Sequence, residues 1–232
     1  MPDGSAVRRA ASGGWLVERV AGGAGELHRH PVDARRTVRV HEVDGPALVL
    51  GSTQADDVAA VRPGGDVEVA RRRSGGGAVW LAPGEQVWVD VVVPAGDPLW
   101  DDDVGRAAHW LGDSWALVAG GDAQVWRGPL EGRAEGSVAC FAGLGPGEVR
   151  RGGSKVVGIS QRRTSRLARF QCVAYLRWDP TAFLAALGPV APGVRSRLAD
   201  GVAPIDDGSP RGVAGVGEWG VVERLLRALP AG

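Results

Sequence analysis

The sequence predicts an α+β fold: a central mixed or mainly antiparallel β-sheet flanked by helices. Many short apolar runs, bounded by glycine and proline, predict numerous strands. Helical patterns stand among these strands without strict alternation, which argues against a doubly wound parallel sheet. No repeat or low-complexity linker divides the 232 residues, so we expect one domain over 1–232.

The first half of the chain contributes mainly strands. Residues 1–12 are expected to be disordered, as chain ends often are. Val38–Val43 alternates apolar and polar residues, which predicts an edge strand. Asp56–Val61 predicts a short helix that Pro63-Gly64-Gly65 ends. The other predicted strands of this half are short apolar runs between turn residues: Ala47–Leu50, Val67–Ala70, Ala78–Leu81 and Gln86–Val93.

The second half adds the principal helices. Trp100–Val118 predicts a long helix, because the acidic run Asp101-Asp102-Asp103 suits the positive end of a helix dipole. Thr181–Leu187 predicts a helix capped by Thr181. Glu218–Leu229 carries one apolar face and predicts a final amphipathic helix. The predicted strands of this half are Ala123–Trp126, Glu148–Arg150, Lys155–Gln161 and Ala168–Trp178.

Charge and hydropathy exclude several classes of function. Lys+Arg and Asp+Glu both number 27, and a net charge of zero argues against a nucleic-acid partner. No apolar run approaches the roughly 20 residues that span a bilayer, so no membrane association is expected. No apolar segment of a secretion signal follows Arg8 and Arg9, and we therefore expect a cytoplasmic protein.

The residues that usually bind metals show no metal-binding pattern. Cys140 and Cys172 form no Cys-x-x-Cys motif, which excludes a disulfide scaffold and a structural zinc site. His28 and His30 could chelate a metal, but such a loop pair is usually only solvated. The sequence therefore predicts no metal site.

One lysine stands out among the basic residues. Lys155 is the only lysine, and the other 26 basic residues are arginine, a skew typical of codon usage in a GC-rich genome. A lysine that persists despite this codon bias is a candidate for a role that needs a compact ammonium group with three rotatable donors. Chance survival is the alternative.

Three consecutive glycines, Gly75–Gly77, stand between two predicted strands. Without a Cβ, their backbone N–H groups can approach an anion or an acyl carbonyl closely. The arginines just before them would add charge for a phosphate or carboxylate. A flexible turn with solvated arginines is the alternative. The segment is not a P-loop, because no Gly-Lys-Ser/Thr follows.

Three segments resemble the biotin/lipoate A/B protein ligase superfamily. Its Arg-Arg-x-Ser/Thr-Gly-Gly-Gly-Ala-Val signature is matched by Arg71-Arg72-Arg73-Ser74-Gly75-Gly76-Gly77-Ala78-Val79. Its Leu-Gly-x-x-Gln segment is matched by Leu50-Gly51-Ser52-Thr53-Gln54, and its lysine strand by Ser154-Lys155-Val156-Val157-Gly158-Ile159-Ser160-Gln161-Arg162. The resemblance covers about residues 36–190. It implies a mixed sheet flanked by helices and an enzyme of protein lipoylation.

The resemblance also implies site residues. Lys155 would contact the acyl group and adenylate, and Cys140 resembles the cysteine through which one octanoyltransferase subfamily passes the acyl chain as a thioester. An inert buried thiol in a strand is the alternative for Cys140. The substrate-binding residues that it implies are Gln54, Arg71, Arg72, Ser74, Gly75, Gly76, Gly77, Ala78 and Gly158.

Three functional hypotheses follow from the resemblance. The favoured one is an octanoyl or lipoyl transferase, which requires no cofactor. The second is a lipoate–protein ligase, which would use ATP and Mg²⁺, and the third is a non-catalytic module that binds a lipoyl-like ligand. The implied acceptor is a lipoyl domain of a 2-oxoacid dehydrogenase or the glycine-cleavage H protein, with acyl carrier protein as a possible donor.

The sequence departs from the family pattern near the implied acyl site. Trp80-Leu81-Ala82 stands where the family often has His-Asp, and Cys172-Val173 where it has His-Gly. These changes predict a more apolar pocket and admit a non-standard acyl chain. Trp80 and Trp88 are close enough to the glycine loop in sequence to line an acyl tunnel.

Overall fold

The computed structural model describes residues 8–61, 65–205 and 217–231. Within these ranges the chain forms eleven strands and six helices. The strands are β1 (Arg8–Ser12), β2 (Trp15–Gly22), β3 (Thr37–Val43), β4 (Ala47–Leu50), β5 (Glu68–Arg71), β6 (Val79–Leu81), β7 (Gln86–Pro94), β8 (Gln124–Val125), β9 (Val149–Arg151), β10 (Ser154–Arg163) and β11 (Leu167–Tyr175). The helices are α1 (Ala24–Arg29), α2 (His109–Ala119), α3 (Arg133–Val138), α4 (Pro180–Ala186), α5 (Pro192–Asp200) and α6 (Gly217–Ala228).

Two sheets form the framework. The larger has the strand order β1-β2-β3-β7-β11-β10-β9-β8, and its pairs are antiparallel except for the parallel pair β2–β3. The smaller has the order β5-β4-β6, with β4 parallel to β5 and antiparallel to β6. The architecture confirms the predicted α+β fold with a mixed sheet flanked by helices.

Apolar cores lie on both faces of the large sheet. On one face, α2 and α6 bury Leu111, Trp115 and Val221 against the sheet. On the other face, the small sheet and helices α1, α4 and α5 enclose a second core around Leu48 and Phe183. Strand β7 lies inside the large sheet, between β3 and β11. Its residues from 86 to 93 are all buried, as expected for a strand that is covered on both faces.

The strand predicted at Val38–Val43 is correct, but its predicted edge position is wrong. Strand β3 lies inside the large sheet between β2 and β7. Arg39 and His41 are buried rather than solvated, because Arg39 pairs with Glu18 and His41 with Asp90. The alternation therefore marks apolar contacts on one face and buried polar pairs on the other.

The long helix predicted from Trp100 begins only at His109. The acidic run lies in turns, where the Asp101 carboxylate accepts the N–H of Asp103 and the Asp103 carboxylate accepts that of Gly105, each at 2.8 Å. Aspartates favour such local turns as well as helix starts, and here the turns prevail.

Other predicted boundaries also change. The predicted helix Asp56–Val61 is only a single 3₁₀ turn, Asp56–Val58, and its expected stop at 63–64 lies outside the described residues. Helix α4 is capped by the Asp179 carboxylate, which accepts the N–H of Thr181, and not by Thr181 itself. Residues 8–12, expected to be disordered, form β1, whereas 1–7 lie outside the described residues. Helices α1, α3 and α5 were not predicted.

Candidate active site

The glycine loop, the cysteine segment and the lysine strand meet beside the small sheet. The glycine loop joins β5 to β6, and Cys140 begins a 3₁₀ turn directly after α3. Backbone hydrogen bonds join the first two, because Ala78 donates to the carbonyl of Val138 at 2.9 Å and Cys140 donates to that of Ala78 at 2.8 Å. The segments that carry the implied site are therefore neighbours in space.

The ammonium of Lys155 is buried and fully hydrogen-bonded. Its Nζ donates to Glu148 Oε2 at 2.7 Å, to the Cys140 carbonyl at 2.9 Å and to the Gly143 carbonyl at 3.1 Å. The register of β9 against β10 shifts between Lys155 and Val157, a bulge of the kind that redirects a side chain. These three contacts point in three directions, which suits the rotatable N–H donors of a lysine ammonium better than the planar guanidinium of an arginine.

Glu148 is the functional residue that sequence reasoning missed. Its side chain is 7% exposed and, besides Lys155, accepts the N–H of Gly145 at 2.7 Å and that of Ile159 at 3.0 Å. The only signal in the sequence was an acidic residue at the start of a predicted apolar strand. A carboxylate at such a position needs a cationic partner if it is buried, and the chain has one lysine.

The two cysteines lie in different environments. Cys140 is half-buried, and its Sγ lies 3.9 Å from Lys155 Nζ. Cys172 is fully buried in β11, and burial raises the pKa of its thiol well above the ordinary value. Cys172 is thus the inert thiol, whereas Cys140 lies in a 3₁₀ turn rather than a strand and is open to a ligand.

The glycines of the loop differ in what they permit. A Cβ on Gly77 would lie 2.4 Å from the Gly136 carbonyl oxygen, so the loop touches the segment before Cys140 through bare backbone. Gly76 has a φ of +95°, a conformation that side chains rarely adopt. A Cβ on Gly75 would meet nothing within 4 Å. Of the three, Gly75 is therefore the one with open space above its backbone.

Two of the implied binding residues hold the segments around the glycine loop together by hydrogen bonds. Arg71 donates through Nη1 to the carbonyls of Gly51 and Gln54, each at 2.7 Å. The Gln54 amide donates to the carbonyls of Ser137 and Val138 at 2.9 and 3.0 Å. Both side chains therefore connect the loops around the site.

Arg72 is buried without a carboxylate partner among the described residues. Its Nη2 donates to the carbonyls of Gly75 and Gly77, each at 2.8 Å, whereas Nη1 has no hydrogen-bond partner there. Burial lowers the pKa of its guanidinium, an effect that the charges of Cys140 and Glu148 oppose. A buried cation with a free donor faces the interior of the site.

The remaining implied residues shape the walls of the site. Ser74 Oγ lies 3.0 Å from Ser160 Oγ and donates to Gln171 Oε1 at 3.0 Å. A Cβ on Gly158 would lie 3.2 Å from Lys155 Cε and 3.1 Å from the ring of Phe141. Glycine at position 158 therefore leaves space for the lysine side chain.

A narrow apolar recess and an open polar cleft meet at Cys140 and Ser160, which line both. The recess has a volume of about 30 Å³, and the cleft, which contains Lys155 and Glu148, about 570 Å³. The apolar side chains of the recess are those of Val49, Val79, Leu81, Trp88, Phe141 and Val173. Trp88 thus lines the recess as predicted, whereas Trp80, on the opposite face of β6 from Val79 and Leu81, does not.

The family model of the lipoyl protein ligase A/B catalytic domain matches residues 26–209. The chain belongs to this family. The match covers most of the chain and confirms the resemblance drawn from its motifs. The chain is therefore a catalytic domain of the lipoyl protein ligase A/B type. No curated protein matches the sequence.

Solved structures of the same family share the fold at low sequence identity. A Thermoplasma acidophilum protein assigned as a lipoate protein ligase, with bound lipoic acid, is 15% identical with a TM-score of 0.65, over 94% of this chain and 84% of its own. A lipoate-protein ligase A bound with ATP is 18% identical with a TM-score of 0.61, over 84% and 71%. The bipartite lipoate protein ligase of T. acidophilum, from a study that includes its E2 lipoyl domain, is 15% identical with a TM-score of 0.62, over 91% and 80%.

The described residues lack two features. None of the helices there is long and apolar enough to cross a membrane. In the same ranges, no three His, Cys, Asp or Glu side chains are grouped so that they could hold a metal ion.

Proposed function

We propose that this lipoyl protein ligase A/B domain transfers an octanoyl or lipoyl group to a specific lysine of a lipoyl-acceptor domain through a thioester on Cys140. The position of this thiol carries the proposal: it stands where the apolar recess opens into the polar cleft. The recess, at about 30 Å³, would have to widen around an acyl chain. A chain bound there would place its carbonyl carbon at the sulfur, and the cleft would admit the donor and then the acceptor.

In the first step the Cys140 thiolate attacks the carbonyl carbon of a donor thioester. The new C–S bond forms, and the donor sulfur leaves with the electron pair and takes up a proton. The attacking sulfur lies 3.9 Å from the ammonium nitrogen of Lys155. Backbone N–H groups near Gly75–Gly77 would hold the negative charge that develops on the carbonyl oxygen. Lys155 would fix the segment that carries Cys140, because its ammonium donates to the carbonyls of Cys140 and Gly143.

In the second step the acceptor lysine takes the acyl group. Its neutral amine attacks the acyl carbon, an amide bond forms, and the Cys140 sulfur leaves and regains a proton. A lipoyl domain as acceptor is supported by the structural similarity to the ligase studied with its E2 lipoyl domain. The open cleft of about 570 Å³ suits a lysine side chain presented by another protein. The acceptors that we expect belong to a 2-oxoacid dehydrogenase or are the glycine-cleavage H protein.

An ATP-dependent ligase is the second candidate, favoured by similarity to a ligase bound with ATP. The cleft fits this candidate less well. Glu148 already balances the charge of Lys155, which leaves Arg133 as the basic side chain in the described lining of the cleft that could meet phosphates. Among the described residues Glu148 is the one carboxylate in the lining of the cleft, and it already accepts from Lys155, Gly145 and Ile159, which makes it a poor ligand for Mg²⁺.

Mass spectrometry of the enzyme and an acceptor domain tests the proposal. With an octanoyl thioester donor and no ATP, we expect transfer and a hydroxylamine-sensitive adduct on the enzyme. Cys140→Ser should abolish the adduct, while the matched control Cys172→Ser should retain it. An intact adduct in the Cys140 variant, or transfer from free acid that requires ATP, would favour the ligase instead.

A further inference from the structure

A chain of buried polar side chains runs from the mouth of the recess along its wall. It begins at Ser160, passes through Ser74 to Gln171, and ends at His28 of helix α1. Ser74 donates to Gln171 Oε1, so the Gln171 amide nitrogen donates to His28 Nδ1, 3.1 Å away. With Nδ1 as acceptor, the neutral imidazole carries its proton on Nε2.

The Nε2–H of His28 is a donor without a partner among the described residues. The side chain lines the recess, is 6% exposed and packs against the Trp88 ring at 4.5 Å. Burial lowers the pKa of His28 to about 3, so the ring is neutral near pH 7. The expectation that it is a solvated loop histidine is therefore wrong.

Arg72 brings a second free donor to the same recess. Its Nη1 is buried and unpartnered, and the described residues place no carboxylate in a salt bridge with its guanidinium. Two unpaired donors in one recess are costly unless a ligand or a bound water supplies acceptors. A plain alkyl chain supplies none beyond its reacting carbonyl, which lies at Cys140.

We propose that the recess binds an acyl group that carries an oxygen acceptor at its inner end, and that His28, with Arg72, selects it over the plain alkyl chain. The inference rests on the proposed function for the class of substrate, an acyl group, and goes beyond it in the chemistry of the chain end. A hydroxyl and a carboxylate both supply such an oxygen; the positive charge of Arg72 would favour the carboxylate.

Binding of unreactive analogues tests this without requiring catalysis. Three pantetheine amides of equal chain length, octanoyl, 8-hydroxyoctanoyl and 7-carboxyheptanoyl, are titrated into the full chain by calorimetry. We expect at least one oxygenated amide to bind about tenfold more tightly than the octanoyl amide, as one buried hydrogen bond allows. A preference for the carboxylate would mean that the charge of Arg72 reaches the chain end, and a preference for the hydroxyl that His28 acts alone.

Variants identify the donor. His28→Leu removes the N–H and should abolish the preference, whereas His30→Leu, a partly exposed neighbour outside the recess, should preserve it. Tightest binding of the octanoyl amide to the wild type would overturn the inference and assign the free donors to a bound water. So would a preference that survives in a folded His28→Leu. Failure of the Cys140 mechanism is read separately, from the thioester adduct, because the amides cannot transfer their acyl group.

Discussion

The buried pair of Glu148 and Lys155 allows a quantitative prediction. Glu148→Gln keeps the shape of the side chain but removes its charge and one acceptor oxygen. The carboxylate accepts from Lys155 and Gly145 at Oε2 and from Ile159 at Oε1. Glutamine has one oxygen, so in either orientation its NH₂ group faces at least one of these donors, and the ammonium loses its counter-charge.

Breaking a buried ion pair by removing one partner costs about 3–5 kcal/mol. Because the side chains are 7% and 3% exposed, solvent screens the loss little, and we expect Glu148→Gln to lower the free energy of unfolding by about 3 kcal/mol. Urea titration with a circular dichroism readout measures this. Asp113→Asn is the matched control, because the Arg127–Asp113 pair is about half exposed and should be worth less than about 1 kcal/mol.

A double variant separates the uncompensated charge from lost packing. Adding Lys155→Met to Glu148→Gln removes the unpaired ammonium and should recover at least about 1 kcal/mol of the lost stability. If Glu148→Gln costs no more than Asp113→Asn, the argument from burial fails. If the second substitution simply adds its own cost, the charge was not the cause.

Three further changes follow from the same geometry. Gly77→Ala should destabilise the protein by about 2 kcal/mol or more in urea titration, because its Cβ would lie 2.4 Å from the Gly136 carbonyl oxygen, whereas Gly75→Ala meets nothing and should cost little. Lys155→Arg should lower the transfer rate on the order of 100-fold, because a planar guanidinium misplaces the donor; full activity would reduce Lys155 to a chance survivor. The folded-state pKa of His28, about 3, lies below its ordinary 6.5, so the unfolded chain takes up a proton first as the pH falls. The free energy of unfolding should therefore drop by roughly 1.4 kcal/mol per pH unit between about pH 6 and pH 4 from this group, and urea titrations of His28→Gln should show a shallower drop.

Most strands could be predicted because their signal is local. The run Gln86–Val93 is apolar and β-branched, and it becomes the central strand β7 with one further residue. Whether a strand lies inside the sheet depends on partners distant in sequence. In the sequence, Arg39 and His41 look like residues that face solvent. Their partners Glu18 and Asp90 are known only from the structure, which explains the error at β3.

The site shows the same division between local and long-range information. Lys155 and Cys140 could be found from short motifs, because each motif is local. Glu148 could not, since its partners lie at Gly145, Lys155 and Ile159, and only the turn and the β9–β10 hairpin bring these together. His28 was missed for the same reason: its partner Gln171 is 143 residues away.

The contacts of the arginine and glycine segment suggest how the loop would act. Arg71 donates to the backbone carbonyls of Gly51 and Gln54. Nη2 of Arg72 donates to those of Gly75 and Gly77, within the glycine loop. Carbonyls held in this way fix the peptide planes, and so the directions of the N–H groups around Gly76. Donors fixed before the substrate arrives need no reorganisation when charge develops on an acyl oxygen, and such preorganisation is where electrostatic catalysis gains most. Arg72 therefore shapes the glycine loop through Nη2, and its free Nη1 is the donor left for a ligand, whereas Arg71 holds the neighbouring segment at Gly51 and Gln54.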